Sequence, residues 1–196
     1  FSLERVVKSP ASFDPTKLTA FQQRAMDQLD VKQKTAMSVP YLQQAGLIDA
    51  PPNCDTAPYV NSIITASEQR MTVAGDILDY DNFFTDDDAI VYDEKAFSKR
   101  IVNTAEAVEL LRDFTNTLAA IESYTTENIE AAMRQFIADR DLKFGQVVHP
   151  VRIAITGKPA GFGLFDTLAI LGQQRCLNRI ERAITLAATL PNNDSA

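Results

Sequence analysis

His149-Pro150-Val151-Arg152-Ile153-Ala154-Ile155-Thr156-Gly157 is the stretch on which the fold class turns. Val151, Ile153 and Ile155 alternate as a strand would, while Pro150 can equally begin a helical turn. No other segment reads as a partner strand, and an isolated strand is not stable, so residues 147–155 are expected to be helical. The chain is then all-α.

The neighbouring segments support that reading. Ile129, Met133, Phe136 and Ile137 keep a helical stripe after Thr125-Thr126, and Gly145 is expected to stop that helix. Leu111, Phe114, Leu118 and Ile121 form another stripe, with Asn103 and Glu106 spaced as a capping box ahead of it. Downstream, a helix over 173–190 turns Cys176, Leu177, Ile180, Ile184 and Ala187 inward and Arg175, Arg179 and Arg182 more toward water. In the first half, Asp14-Pro15 reads as a cap followed by a helix over 15–29. A second helix over 31–45, bent near Pro40, closes at a left-handed Gly46. A loop over 49–58 leads to one long helix over 59–80, then an acidic loop. Coil near 93–103 is the expected junction, and the tail from Pro191 is expected to be disordered. The division expected is 1–29, 30–100 and 101–196, with the last two as packed helical subdomains.

Composition narrows the class. The 196 residues are 45% hydrophobic and 23% charged, ordinary for a globular protein. No apolar run is long enough to span a bilayer, and the N-terminus lacks a secretory pattern, so a soluble cytoplasmic protein is expected, with no membrane partner. Cys54 and Cys176 suggest neither a disulfide framework nor a zinc site. The net charge of -7 argues against a general nucleic-acid binder, and no DNA partner is expected. Between 146 and 190, however, Arg152, Lys158, Arg175, Arg179 and Arg182 face only Asp166 and Glu181, a local excess of three positive charges. An acidic body with one basic face orients an incoming RNA toward that face.

Val151 to Lys158, then Gly161-Phe162-Gly163-Leu164-Phe165, then Leu171 to Ile180, together resemble the far C-terminal end of bacterial-type glutamyl-tRNA synthetases. Two further segments agree, in the family's order. Phe1 to Leu18 is similar to the segment after the family's Lys-Met-Ser-Lys-Ser-type loop, and Val39 to Ile48 with Asp81-Asn82-Phe83-Phe84 is similar to the helical region that follows. The likeness spans nearly the whole chain. It implies an all-α fold in two packed helical subdomains, with tRNA as partner.

The resemblance also implies site residues. The matching arginine, Arg152, contacts anticodon bases, and Leu164 packs against an unstacked one. A guanidinium suits this task, because its planar fork can bond a base edge and stack on a ring. The family's Ser-Pro or Thr-Pro is replaced by Gly161-Phe162, which removes a hydroxyl and adds a ring able to stack on a base. Lys158, Arg175, Arg179 and Arg182 are candidate phosphate contacts, with Arg5, Lys8 and Lys17 near the inner side of the tRNA. Against this, Arg152 can cap a helix or pair with a carboxylate, and Leu164 can be core.

The family's nucleotide-binding motifs do not occur, nor does a Gly-rich phosphate loop. The expectation is therefore a C-terminal portion without cofactor, inactive alone, whose absent N-terminal catalytic domain would bring ATP and Mg. The acidic run from Asp76 to Glu94 fails the calcium-loop spacing and reads as a solvated loop. His149 lacks companions for a catalytic or metal site. The competing reading is a helical interaction module that kept the fold and lost tRNA.

Overall fold

The computed structural model describes residues 14–68, 70–104 and 106–190. Arg5, Lys8 and the tail from Pro191 lie outside them. Among the described residues there are helices and no strand. The α-helices among the described residues are α1 (Pro15–Asp27), α2 (Val31–Gln44), α3 (Thr56–Ser67), α4 (Glu94–Phe97), α5 (Ala107–Ala119), α6 (Thr126–Asp139), α7 (Phe144–Thr156), α8 (Leu164–Leu171) and α9 (Gln173–Thr189). A 3-10 segment, Ala74–Phe83, lies between α3 and α4, and α4 widens into a π segment, Ser98–Val102.

The starts follow side-chain chemistry. Asp14 accepts from Thr16 and Lys17 amides with proline next in line, Asp30 forms a full capping box with Gln33, and Thr125 caps α6. Gly46 closes α2 with φ +70°, and the helix runs through Pro40.

Four expected boundaries are corrected. The helix expected over 59–80 is two elements, because α3 ends at Ser67 with Glu68 at φ 53°, and the chain then turns into the 3-10 segment. The box between Asn103 and Glu106 does not form: Glu106 is left-handed at φ 69° and α5 begins only at Ala107. Gly145 does not stop a helix, since α6 has ended at Asp139 and Gly145 lies in the first turn of α7. The junction near 93–103 is not coil but α4 and its π extension, capped by Asp93 accepting from the Ala96 amide.

The ambiguity over 147–155 has a physical origin. Helix α7 touches α4, α5, α6, α8 and α9, so Val147, Val151, Ile153, Ala154 and Ile155 are all buried. A helix enclosed on most sides loses its single apolar stripe. Pro150 is mid-helix and buried rather than initiating, and a narrow exposed strip remains at His149 and Arg152.

One buried cluster runs from Met26 through Ile63, Ile77 and Phe114 to Ile180 and Ala187. The earlier helices meet the later ones where α3 packs on α8, and where residues 82–90 accept hydrogen bonds from α9.

Candidate nucleic-acid interface

Arg152 projects from the exposed strip of α7 and is about half-buried. Its Nη1 donates to the carbonyl of Phe162 at 2.8 Å, and among the described residues it has no carboxylate partner. Burial, and then the positive charge of nearby Arg70, hold its guanidinium below its usual value. His149, three residues earlier on the same face, is pushed down by burial and then by the charges of Arg100 and Arg152. The charge of Arg70 is thus felt at Arg152 and that of Arg100 at His149, so arginines from the stretch after α3, the π segment and α7 bias this face of α7 toward positive, while His149 is disfavoured in its charged form. Arg70 and Arg100 are exposed and form no ion pair among the described residues.

Only Arg152 and His149 of this group stood out in the sequence. The helical spacing places those two together, but nothing local links them to Arg70 or Arg100, which the fold alone brings near.

The loop between α7 and α8 backs this surface. Gly157 ends α7 at φ +74°, with its carbonyl accepting from the Asp93 amide at 2.8 Å. Lys158 Nζ donates to the Asp79 carbonyl at 2.7 Å and to Asp81 Oδ1 at 2.6 Å, so its charge is already matched by a carboxylate. Gly161 is exposed beside Arg152. The ring of Phe162 does not face solvent: it is 2% exposed, stacked on Phe83 at 5.1 Å and tilted against Tyr80 at 5.4 Å. Leu164 is 5% exposed in the core cluster. In this packing neither side chain presents apolar surface to solvent, because the first turn of α8 carries Leu164 inward and two aromatic rings claim Phe162.

The arginines of α9 also depart from the water-facing expectation. Arg179 is 0% exposed and its guanidinium is fully engaged: Nε donates to Asp87 Oδ1 at 2.7 Å, Nη1 to the carbonyls of Asn82 and Ile155 at 2.9 and 2.8 Å, and Nη2 to that of Thr85 at 2.7 Å. Arg175 donates to Asp87, to the Tyr59 hydroxyl and to the carbonyls of Phe83 and Thr85. Arg182 donates to the Ile90 carbonyl at 2.7 Å and lies over the Tyr92 ring. These three stitch residues 82–90 onto α9. Burial alone would raise the Asp87 carboxyl, but hydrogen bonds from Arg179, Asn178 and Arg175 outweigh it and leave it below the ordinary range.

The acidic run is correspondingly not a free solvated loop. Asp76 accepts from the amides of Thr72 and Val73, Asp81 pairs with Lys158, Asp87 with the arginines, and Asp93 caps α4. Lys17 is exposed on α1, away from these contacts. No group of three or more His, Cys, Asp or Glu that could hold a metal occurs among the described residues, and no helix there is long and apolar enough to cross a membrane. Burial pushes the Cys176 thiol up to about 12, which suits packing and not reactivity.

Among curated proteins, the chain is similar to the glutamate-tRNA ligase of Desulforudis audaxviator (strain MP104C). Identity is 32% over 195 residues, covering 98% of this chain and 38% of that protein. The glutamate-tRNA ligase of Roseiflexus castenholzii (strain DSM 13941 / HLO8) is 33% identical over 188 residues, covering 96% of this chain and 37% of that protein. The chain thus spans less than two fifths of the length of these relatives. Among solved structures, a crystal structure of a glutamate tRNA ligase from Elizabethkingia meningosepticum superposes with a TM-score of 0.78 over 94% of this chain and 35% of that one. Identity there is 23%, and the likeness shows the fold. A sequence profile described as the anticodon binding domain matches residues 20–184, a span that takes in Arg70, Arg100, His149 and Arg152. The chain belongs to the anticodon binding domain family.

Proposed function

We propose that this chain recognises the anticodon of tRNA as the C-terminal portion of a glutamate-tRNA ligase. The observation that carries the proposal is Arg152: partly exposed, held by one carbonyl, free of any carboxylate among the described residues, with the charge of Arg70 felt at its guanidinium and that of Arg100 at the neighbouring His149, on a chain of net charge -7. An uncompensated cationic surface on an acidic body attracts a polyanion to one place. The remaining donors of the Arg152 fork are available to the edge of a base splayed from the loop, and Arg70 and Arg100 to its phosphates.

In this reading the complete cytoplasmic enzyme joins glutamate to tRNA at the expense of ATP, and this portion supplies recognition. In this reading ATP and Mg are bound outside this chain. Among the described residues no group of three or more His, Cys, Asp or Glu could hold a metal, and the sequence has no Gly-rich phosphate loop. The division into helical subdomains near residue 100 and the contact of Arg5, Lys8 and Lys17 with the inner side of the tRNA belong to the same proposal.

Titrating the chain with a glutamate-accepting tRNA transcript at low and moderate salt tests it. Binding is expected to weaken with salt, and Arg152→Ala is expected to cost about tenfold or more, as for a lost hydrogen bond to a charged group. Absence of binding at low salt would return the chain to the reading of a helical interaction module, which the burial of Leu164 and Phe162 favours.

A further inference from the structure

We infer that Phe162 is a positioning residue for Arg152: its ring, clamped by Phe83 and Tyr80, fixes the backbone carbonyl that orients the guanidinium. This rests on the anticodon reading for its consequence, though not for its geometry. Two side chains, Phe162 and Lys158, nail the loop between α7 and α8 onto the segment around residues 79–83, and a hydrogen bond within the turn supports them. The Phe162 ring stacks on Phe83 with an interplanar angle of 8° and meets Tyr80 at 52°. Lys158 Nζ grips the Asp79 carbonyl and Asp81. The Thr156 hydroxyl accepts from the Lys158 amide at 3.1 Å, closing the turn after α7.

The Phe162 carbonyl is the partner recorded for the Arg152 guanidinium, at 2.8 Å. A flexible arginine held by one bond has an orientation only as firm as the acceptor. The acceptor here has no regular secondary structure of its own, so the firmness comes from the ring on the same residue. Gly161 completes the cradle. A Cβ there would stand 3.4 Å from Arg152 Nη1, an ordinary van der Waals contact, so the backbone at this position runs directly beside the guanidinium. The aromatic residue thus acts through its backbone, while its ring stays out of reach of any nucleotide.

The test uses the whole chain with two readouts. The first is the rate at which phenylglyoxal modifies Arg152, followed by peptide mass and independent of RNA. Phe162→Leu keeps burial but loses the stack, and should raise that rate. Tyr80→Leu, at a half-buried position whose loss is easier to tolerate, should raise it in the same direction, whereas Tyr80→Phe should leave it unchanged. The second readout is affinity for a glutamate-accepting tRNA transcript. Phe162→Leu should weaken binding up to about tenfold in the wild-type background and have no further effect beside Arg152→Ala, a coupling that general loosening would not produce. An unchanged rate in folded Phe162→Leu and Tyr80→Leu overturns the inference, and so do additive losses of affinity. A raised rate in a chain that binds no tRNA leaves the positioning role standing and removes the anticodon reading.

Discussion

At the scale of single residues, two arginines with the same chemistry have opposite fates, and burial separates them. Arg152 keeps donors free; Arg179 spends its fork on one carboxylate and three carbonyls with no exposure at all. A buried guanidinium that loses its carboxylate is left as an uncompensated charge, so Asp87→Ala should destabilise the chain by about 3 kcal/mol. That corresponds to a fall in melting temperature on the order of 10 °C, read by thermal unfolding. The same pair sets an acid limit. The Asp87 carboxyl sits below its ordinary value of 3.8, so its contribution is complete above that value and is lost as pH falls below it. Unfolding followed from about pH 6 down to about pH 3 should show a steeper acid decline for the native chain than for Asp87→Ala. Arg152 was legible in the sequence because it stands before an aliphatic segment ending in Thr-Gly. The burial of Phe162 was not, because the rings that claim it are contributed by Tyr80 and Phe83, far away along the chain.

At the scale of elements, the glycines that end α7 and α8 both hold a positive φ but are not equivalent, Gly157 being left-handed with ψ -6° and Gly172 lying outside that basin with ψ 157°. Gly157 and Gly172 have φ of +74° and +80°. A Cβ at Gly172 would meet nothing within 4 Å, while one at Gly157 would lie 2.1 Å from the carbonyl oxygen of Val91. Gly172→Ala should therefore cost only backbone strain, about 2 kcal/mol. Gly157→Ala adds a collision with backbone that cannot swing aside, and must cost clearly more. Denaturant titration of the two variants side by side checks the order. Helices α1, α2, α6 and α9 were readable from 3.6-residue periodicity and caps. The break after Ser67 was not, because apolar residues keep helical spacing across it and only the left-handed Glu68 stops the helix. The central α7 was ambiguous for the converse reason, being apolar around most of its circumference.

At the scale of the whole molecule, charge is sorted by location, which the sequence total conceals. Sequence counting put the positive excess between 146 and 190, yet most of those cations are consumed internally by residues 79–90. Arg70, Arg100 and Arg152, which form no ion pair among the described residues, come from the stretch after α3, the π segment and α7, three places that only the fold unites. The salt dependence of tRNA binding should reflect this. Arg70→Ala and Arg100→Ala should each reduce the slope of log affinity against log salt by about one. Arg175→Gln and Arg182→Gln should lower thermal stability and leave that slope alone. The way α9 holds the acidic segment also has a consequence for its wording. Apart from Asp87, the acceptors offered by residues 82–90 to Arg175, Arg179 and Arg182 are peptide oxygens, which every amino acid possesses. The exposed letters Asp86, Asp88 and Ala89 can thus be respelled without loosening the grip, which makes this short stretch a natural place to graft a fluorophore or affinity handle beside an otherwise rigid seam.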